Sequence, residues 1–131
     1  MALIQSFMLL TGFAFENLIK GVFIAVNPTL VQDGKIDRSR TKERSGHGFA
    51  TYSAQLPGFT ATPDQSDLLR RLEEYVVWAG RYLLPGKVQV YIDSTKPTNL
   101  RTLRSTDFIT ADQLFEELTR LLISECTKNS P

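Results

Sequence analysis

The residues of this chain best placed to do chemistry are few, and several fall close together. Glu16 and Lys20 stand four apart in an otherwise apolar run, the acid nearer the N-terminus, so on a helix they share one face and can pair. Charges among apolar neighbours are costly unless paired and hydrogen-bonded, which predicts a polar seam of Glu16, Asn17 and Lys20 that His47 joins from the next helix. Such a seam is either an ion pair that fixes helix register or a ligand or catalytic cluster. His47, the single imidazole, follows Gly46 at an expected helix start, where it serves either as an acid or base or as a satisfied structural histidine. A buried seam predicts that Glu16→Ala destabilises by roughly 3 kcal/mol, an exposed one by well under about 1 kcal/mol.

Two further groups have chemical potential. Tyr75, Trp78, Arg81 and Tyr82 fall at helical spacing, so an aromatic ridge can lie against a guanidinium. With one basic residue among the aromatics, core packing plus a C-terminal arginine favoured by the helix dipole is the simpler reading than a base-stacking platform. Arg38, Arg40, Lys42 and Arg44 form a basic group that Asp33, Asp37 and Glu43 dilute and no aromatic interleaves, which reads as a solvated loop more than a phosphate site. The sequence has no phosphate-binding glycine loop, nucleophile elbow or HExxH motif. With one His47 and one Cys126 it also lacks the spacings of a structural zinc site, and no cofactor or metal is expected.

The elements that must position these residues read as an all-α compact bundle of about four helices, near 3–26, 47–56, 63–84 and 111–126, with a long charged loop over 28–46. The first is so dense in apolar residues that it is expected to be central and enclosed on most of its circumference, ending where Pro28 follows Asn27. In the loop Asp33-Gly34 is a turn signal, and a connection of this length is either a working surface or a loose link. The second helix presents Phe49, Tyr52 and Leu56 on one face, and Pro57-Gly58 closes it. The third opens on a capping box, Thr62 with Pro63 and Gln65, and then repeats Leu68, Leu69, Leu72, Tyr75 and Val76, with Arg70, Arg71, Glu73 and Glu74 mainly opposite. Val88 to Ile92 reads as extended linker without a partner strand. The last helix is expected to begin at Thr110, capped with Gln113, or alternatively at Asp107, and to bury Leu114, Phe115, Leu118, Leu121 and Leu122.

At 131 residues the chain is expected to be a single domain, residues 1–131, and the lone cysteine suits a reducing, cytoplasmic setting. A net charge of +1 provides no general field for nucleic acid or membrane. The apolar start is read as a bundle helix, because no positive charge precedes Leu3 as in a signal peptide, and Gln5, Glu16, Asn17 and Lys20 interrupt a membrane span.

Phe15-Glu16-Asn17-Leu18-Ile19-Lys20-Gly21, then Gly46-His47-Gly48-Phe49, then Glu74-Tyr75-Val76-Val77-Trp78-Ala79-Gly80-Arg81-Tyr82 together resemble HEPN-type bacterial proteins over about residues 10–85. The resemblance implies an α-helical bundle, frequent dimerisation and a toxin–antitoxin or phage-defence setting, where some members cleave RNA without metal and others only bind partners. Catalytic members carry an arginine and, with four to six residues in between, a histidine on a late helix. Here Arg81 has no such histidine, and Arg40 with His47 meets the spacing only in the loop. Relatives tend to have a helix upstream of the central one, so either the bundle is short or a partner completes it. The leading expectation is a binding module without a recognisable catalytic motif, acting as a homodimer or with a partner protein, RNA or a nucleotide being a further candidate. The alternative is a metal-independent endoribonuclease using His47 with Arg40 or Arg81.

Overall fold

The computed structural model describes residues 2–40, 48–76 and 104–128, and these are predominantly α-helical. The first helix, α1 (Ala2–Val26), buries Met8, Gly12, Phe15, Ile19 and Val22, which recur at alternating steps of four and three and so line one seam. Opposite that seam Ser6, Leu10, Ala14 and Asn17 are exposed. The expectation of a helix enclosed on most of its circumference is therefore corrected. The high apolar density reflects a buried seam together with an outer face that carries no charge. Residues Ser6–Val26 are long and apolar enough to span a membrane by length and composition, and here their buried seam lies against the other helices.

Pro28 stops the helical ladder as expected, and a short 3-10 turn (Pro28–Leu30) follows it. Within the expected loop over 28–46, residues 28–40 carry more regular structure than their composition suggests. β1 (Val31–Gln32) pairs antiparallel with β2 (Lys35–Ile36), Val31 opposite Ile36 and Gln32 opposite Lys35. Asp33 and Gly34 both take positive φ, 52° and 72°, the geometry of a two-residue hairpin turn that Asp-Gly favours. Buried Leu30 anchors this hairpin to the core, and a second 3-10 turn (Arg38–Arg40) follows. Residues 41–46 lie outside the described residues.

The second helix is shorter than the expected 47–56: α2 spans Phe49–Ser53 and buries Phe49 and Tyr52, while Leu56 is buried just beyond it. Its cap residue is Gly48, which has no side chain to satisfy the first amides. Glu73 supplies the missing carboxylate from the neighbouring helix, accepting from the Ala50 amide at 2.9 Å.

The third helix, α3 (Pro63–Glu74), starts on the expected capping box: Thr62 Oγ1 accepts from the Gln65 amide and Gln65 Oε1 from the Thr62 amide. It passes into a π-helical turn at Tyr75–Val76, and the remainder of the expected 63–84 helix, with the 88–92 segment, lies outside the described residues. The last helix, α4, spans Asp107–Lys128 and not 111–126. Thr110 is inside it, its amide already bonded to the Thr106 carbonyl, so the Thr110–Gln113 spacing is a chance match and Asp107 is the start.

Contacts fix how these helices run. Phe7 meets Phe108 and Phe15 meets Phe115, with ring centroids 4.7 and 5.7 Å apart, so α1 and α4 point the same way. Gln65 reaches Glu117 while Arg71 reaches Asp107, so α3 runs antiparallel to α4. The buried side chains of all four helices form one continuous core. Between α1 and α3 the approach is close: a Cβ at Gly12 would lie 2.6 Å from Val76 Cγ2 and 3.1 Å from the Leu72 carbonyl oxygen.

Candidate functional site

Of the predicted polar seam, Glu16 and Lys20 are brought together. Lys20 Nζ donates to Glu16 Oε1 at 2.7 Å, with the carboxylate side chain 8% exposed and the ammonium side chain 25% exposed. The helical i, i+4 geometry forms the pair and the surrounding apolar seam shields it. Asn17 is on the exposed side of α1 and does not share the cluster. His47, Trp78 and Arg81 lie outside the described residues, while Tyr75 is buried in the core. Arg40 is exposed and donates to the carbonyl and hydroxyl oxygens of Thr29, at 3.0 and 3.4 Å, which pins the start of the hairpin excursion to its end.

The most elaborate ionic cluster is one that sequence reasoning missed. Arg71, expected opposite the apolar face of α3, is buried and forms a two-pronged bond to Asp107 at the start of α4, Nη1 to Oδ2 at 2.9 Å and Nη2 to Oδ1 at 2.7 Å. Its Nε donates to Asp67 Oδ2 at 2.9 Å. Arg70 donates to the other oxygen of Asp67, and the Arg104 amide donates to Asp107 Oδ2 at 2.8 Å. The fork geometry matches a planar guanidinium to carboxylates and leaves both acids well supplied with donors.

Burial pushes the Asp107 carboxyl up, but hydrogen bonds from Arg71 and the Arg104 amide, with the charges of both arginines, outweigh it and hold its pKa below the ordinary value. Asp67 is lowered in the same way: burial opposes, and the hydrogen bond and charge of Arg71, with Arg70 and Arg104, prevail. Arg71 is raised, chiefly by its hydrogen bond to Asp107. All three groups are thus fixed in their charged forms. Such a cluster locks helices together; it holds no group poised to exchange a proton near neutrality.

Two cavities lie among the described residues of the helices. One of about 290 Å³ lies between α2 and α3, lined by small side chains such as Ala50, Ser53, Ala61 and Ser66, and the Ser53 hydroxyl is already committed to the Ala50 carbonyl. The other, about 360 Å³, is an open groove between α1 and α4 lined mainly by Phe7, Leu10, Ala14, Phe108 and Phe115, with Asp112 its charged member. Three of its apolar lining side chains are unusually exposed, Leu10 by 67%, Phe108 by 49% and Phe115 by 43%, and Ile109 and Ile123 are exposed elsewhere on α4. Phe115 is thereby corrected from its expected burial, since the core takes Leu114 and Leu118 while Leu121 and Leu122 are half-buried. Among the described residues no group of three or more His, Cys, Asp or Glu side chains could hold a metal ion. Comparison with protein-family models, curated proteins and solved structures yields no match for this chain.

Proposed function

We propose that this chain is a helical binding module that works by docking the largely apolar face between α1 and α4 against another protein surface. One observation carries the reading: Leu10, Phe108 and Phe115 stand exposed around an open groove, with Ile109 and Ile123 exposed elsewhere on α4, a concentration of apolar surface that marks association sites. The only charged residues of α1, Glu16 and Lys20, pair with each other, so α1 presents this face without a free charge to desolvate. HEPN-like membership, a toxin–antitoxin or phage-defence setting and a cytoplasmic location belong to the same proposal, supported by the order of the three motifs and by the all-α fold.

The test is a photo-crosslinking amino acid placed at Leu10 and, separately, at Ile123, with Asp64 on α3 as a control position, in the native host. Discrete protein adducts from the two face positions and none from the control are expected. Absence of adducts from both face positions would sink the docking reading. Cleavage of RNA by the purified chain in chelator, abolished by His47→Ala and retained in Cys126→Ser, would move the chain to the ribonuclease class.

A further inference from the structure

We infer that the occupant of the groove between α1 and α4 is a stretch of helix from a different protein, carrying a lysine or arginine that pairs with Asp112. The inference rests on the docking reading above and adds the charge and register of the partner.

Asp112 differs from the other acids of its helix. Asp107 is answered by Arg71, Glu116 by Arg120 and Glu125 by Lys128, while Glu117 accepts from Gln65 at 3.4 Å. Asp112 is exposed, has no hydrogen-bond or ion-pair partner among the described residues, and is the one charged side chain lining the groove. Phe108, Asp112 and Phe115 fall at i, i+4 and i+7, so they share the side of α4 turned towards α1. Because the two helices run the same way, with Phe7 on Phe108 and Phe15 on Phe115, Asp112 stands about midway between the two ring contacts.

A docked apolar surface takes water away from this carboxylate, and a carboxylate left without water or a partner is costly. The occupant must therefore bring a cation. Phenylalanine rings one turn to either side favour a cation as well. The same carboxylate selects against other occupants, because a nucleic-acid backbone or an anionic lipid surface would set like charge against it. A second copy seated face to face would bring another Asp112, and no cation stands among the lining residues to answer either one.

Length sets the register. Phe7 and Phe15 are eight residues apart on one helix, about 12 Å or two turns. A helix laid along that length places apolar residues at i and i+7 over the two phenylalanine pairs and its cation at i+3 or i+4 over Asp112.

Fluorescence anisotropy of two labelled, alanine-rich helical peptides on the full chain reads the outcome. Both carry leucine at i and i+7 for the groove and at i+14 to extend along α4 towards Ile123, a length that keeps a peptide helical. One has lysine at i+3 and the other glutamate. The lysine peptide is expected to bind wild type roughly tenfold or more tighter, a difference that shrinks as salt rises. Asp112→Asn should bring the two peptides level, and Asp112→Lys should reverse their order. Asp64→Lys makes the same change of net charge on α3 and should leave the lysine peptide ahead, so the readout is local. Circular dichroism of each variant confirms that its fold is retained. Equal affinity of both peptides for wild type, or a preference for lysine that survives Asp112→Lys, would overturn the cation pairing. Failure of both peptides to bind would overturn the helical occupant, while the crosslinks at Leu10 and Ile123, which involve no peptide, would still decide the docking reading. Leu10 adducts of twice the mass of the chain would overturn the different protein in favour of a second copy.

Discussion

At the N-terminal end of α4 a carboxylate is buried against a guanidinium, whereas along the outer face of the same helix phenylalanine and isoleucine meet solvent. The two regions divide the work of the molecule. Buried ion pairs contribute little net stability relative to a well-packed apolar substitute, yet they tolerate one geometry only, so the Arg71 fork sets how α3 meets α4. The outer side chains gain little from the monomer's own fold and have most to gain from association. Loss of one buried charge and loss of one outer apolar side chain should therefore differ sharply.

Arg71→Ala is expected to have the largest effect. With side-chain exposures of 3% and 4% for Arg71 and Asp107, truncation strands a buried carboxylate and weakens the donors to Asp67, at a cost of about 3–5 kcal/mol. Urea unfolding measures it, and a loss below about 1 kcal/mol would show the cluster to be solvated.

The same cluster gives a pH dependence. Asp67 and Asp107 have pKa values lowered in the folded chain, so as pH falls the unfolded chain takes up protons first. Their contribution to stability is complete above the unfolded carboxylate range, near pH 4–5, and is lost as pH falls through their lower folded values. Wild type should lose stability steeply below about pH 4, and Arg71→Ala should flatten that acid limb. A slope unchanged by the substitution would remove Arg71 as its cause.

Glu16→Ala should cost less, about 1–3 kcal/mol, because Lys20 retains access to water and can rehydrate when its partner is lost. Gly12→Ala comes next. Alanine gains about 1 kcal/mol of helix propensity, but its methyl meets Val76 and the Leu72 carbonyl at an overpacking cost of about 1–3 kcal/mol, leaving a net loss of about 1 kcal/mol. Gly21 has no neighbour within 4 Å of such a methyl, so Gly21→Ala should stabilise by about 0.5–1 kcal/mol. Opposite signs in thermal denaturation are the expected result.

Legibility in the sequence followed the range of each interaction. The Thr62–Gln65 capping box, the stop at Asn27-Pro28, the Asp33-Gly34 turn and the Glu16–Lys20 pair are each decided within a few residues, and all can be read directly. Arg71 could not be assigned this way. It sits at the edge of the apolar stripe of α3, where periodicity does not decide between core and solvent, and its partner Asp107 is 36 residues away. A helix start with Asp107 in its first turn was the available signal, and the Thr110–Gln113 spacing competed with it. The outer face was hidden for the opposite reason: a helix apolar on two sides looks like a helix buried on all sides until the neighbours are in place.

The smallest effect on the isolated chain should come from Ile123→Ser, and it separates the two regions most cleanly. Ile123 is 61% exposed, and isoleucine and serine have similar helix propensities. Stability of the chain alone should therefore change by no more than about 0.5 kcal/mol. Association tells the two regions apart, because a ligand that binds only the folded state raises the midpoint as its concentration rises, and a docking partner is such a ligand. Wild-type Tm should climb with the concentration of the lysine peptide, whereas the Tm of Ile123→Ser should climb less across the same series. If the substitution lowers Tm equally at every concentration, Ile123 belongs to the folded core, and the division between a locking interior and a docking exterior on α4 fails.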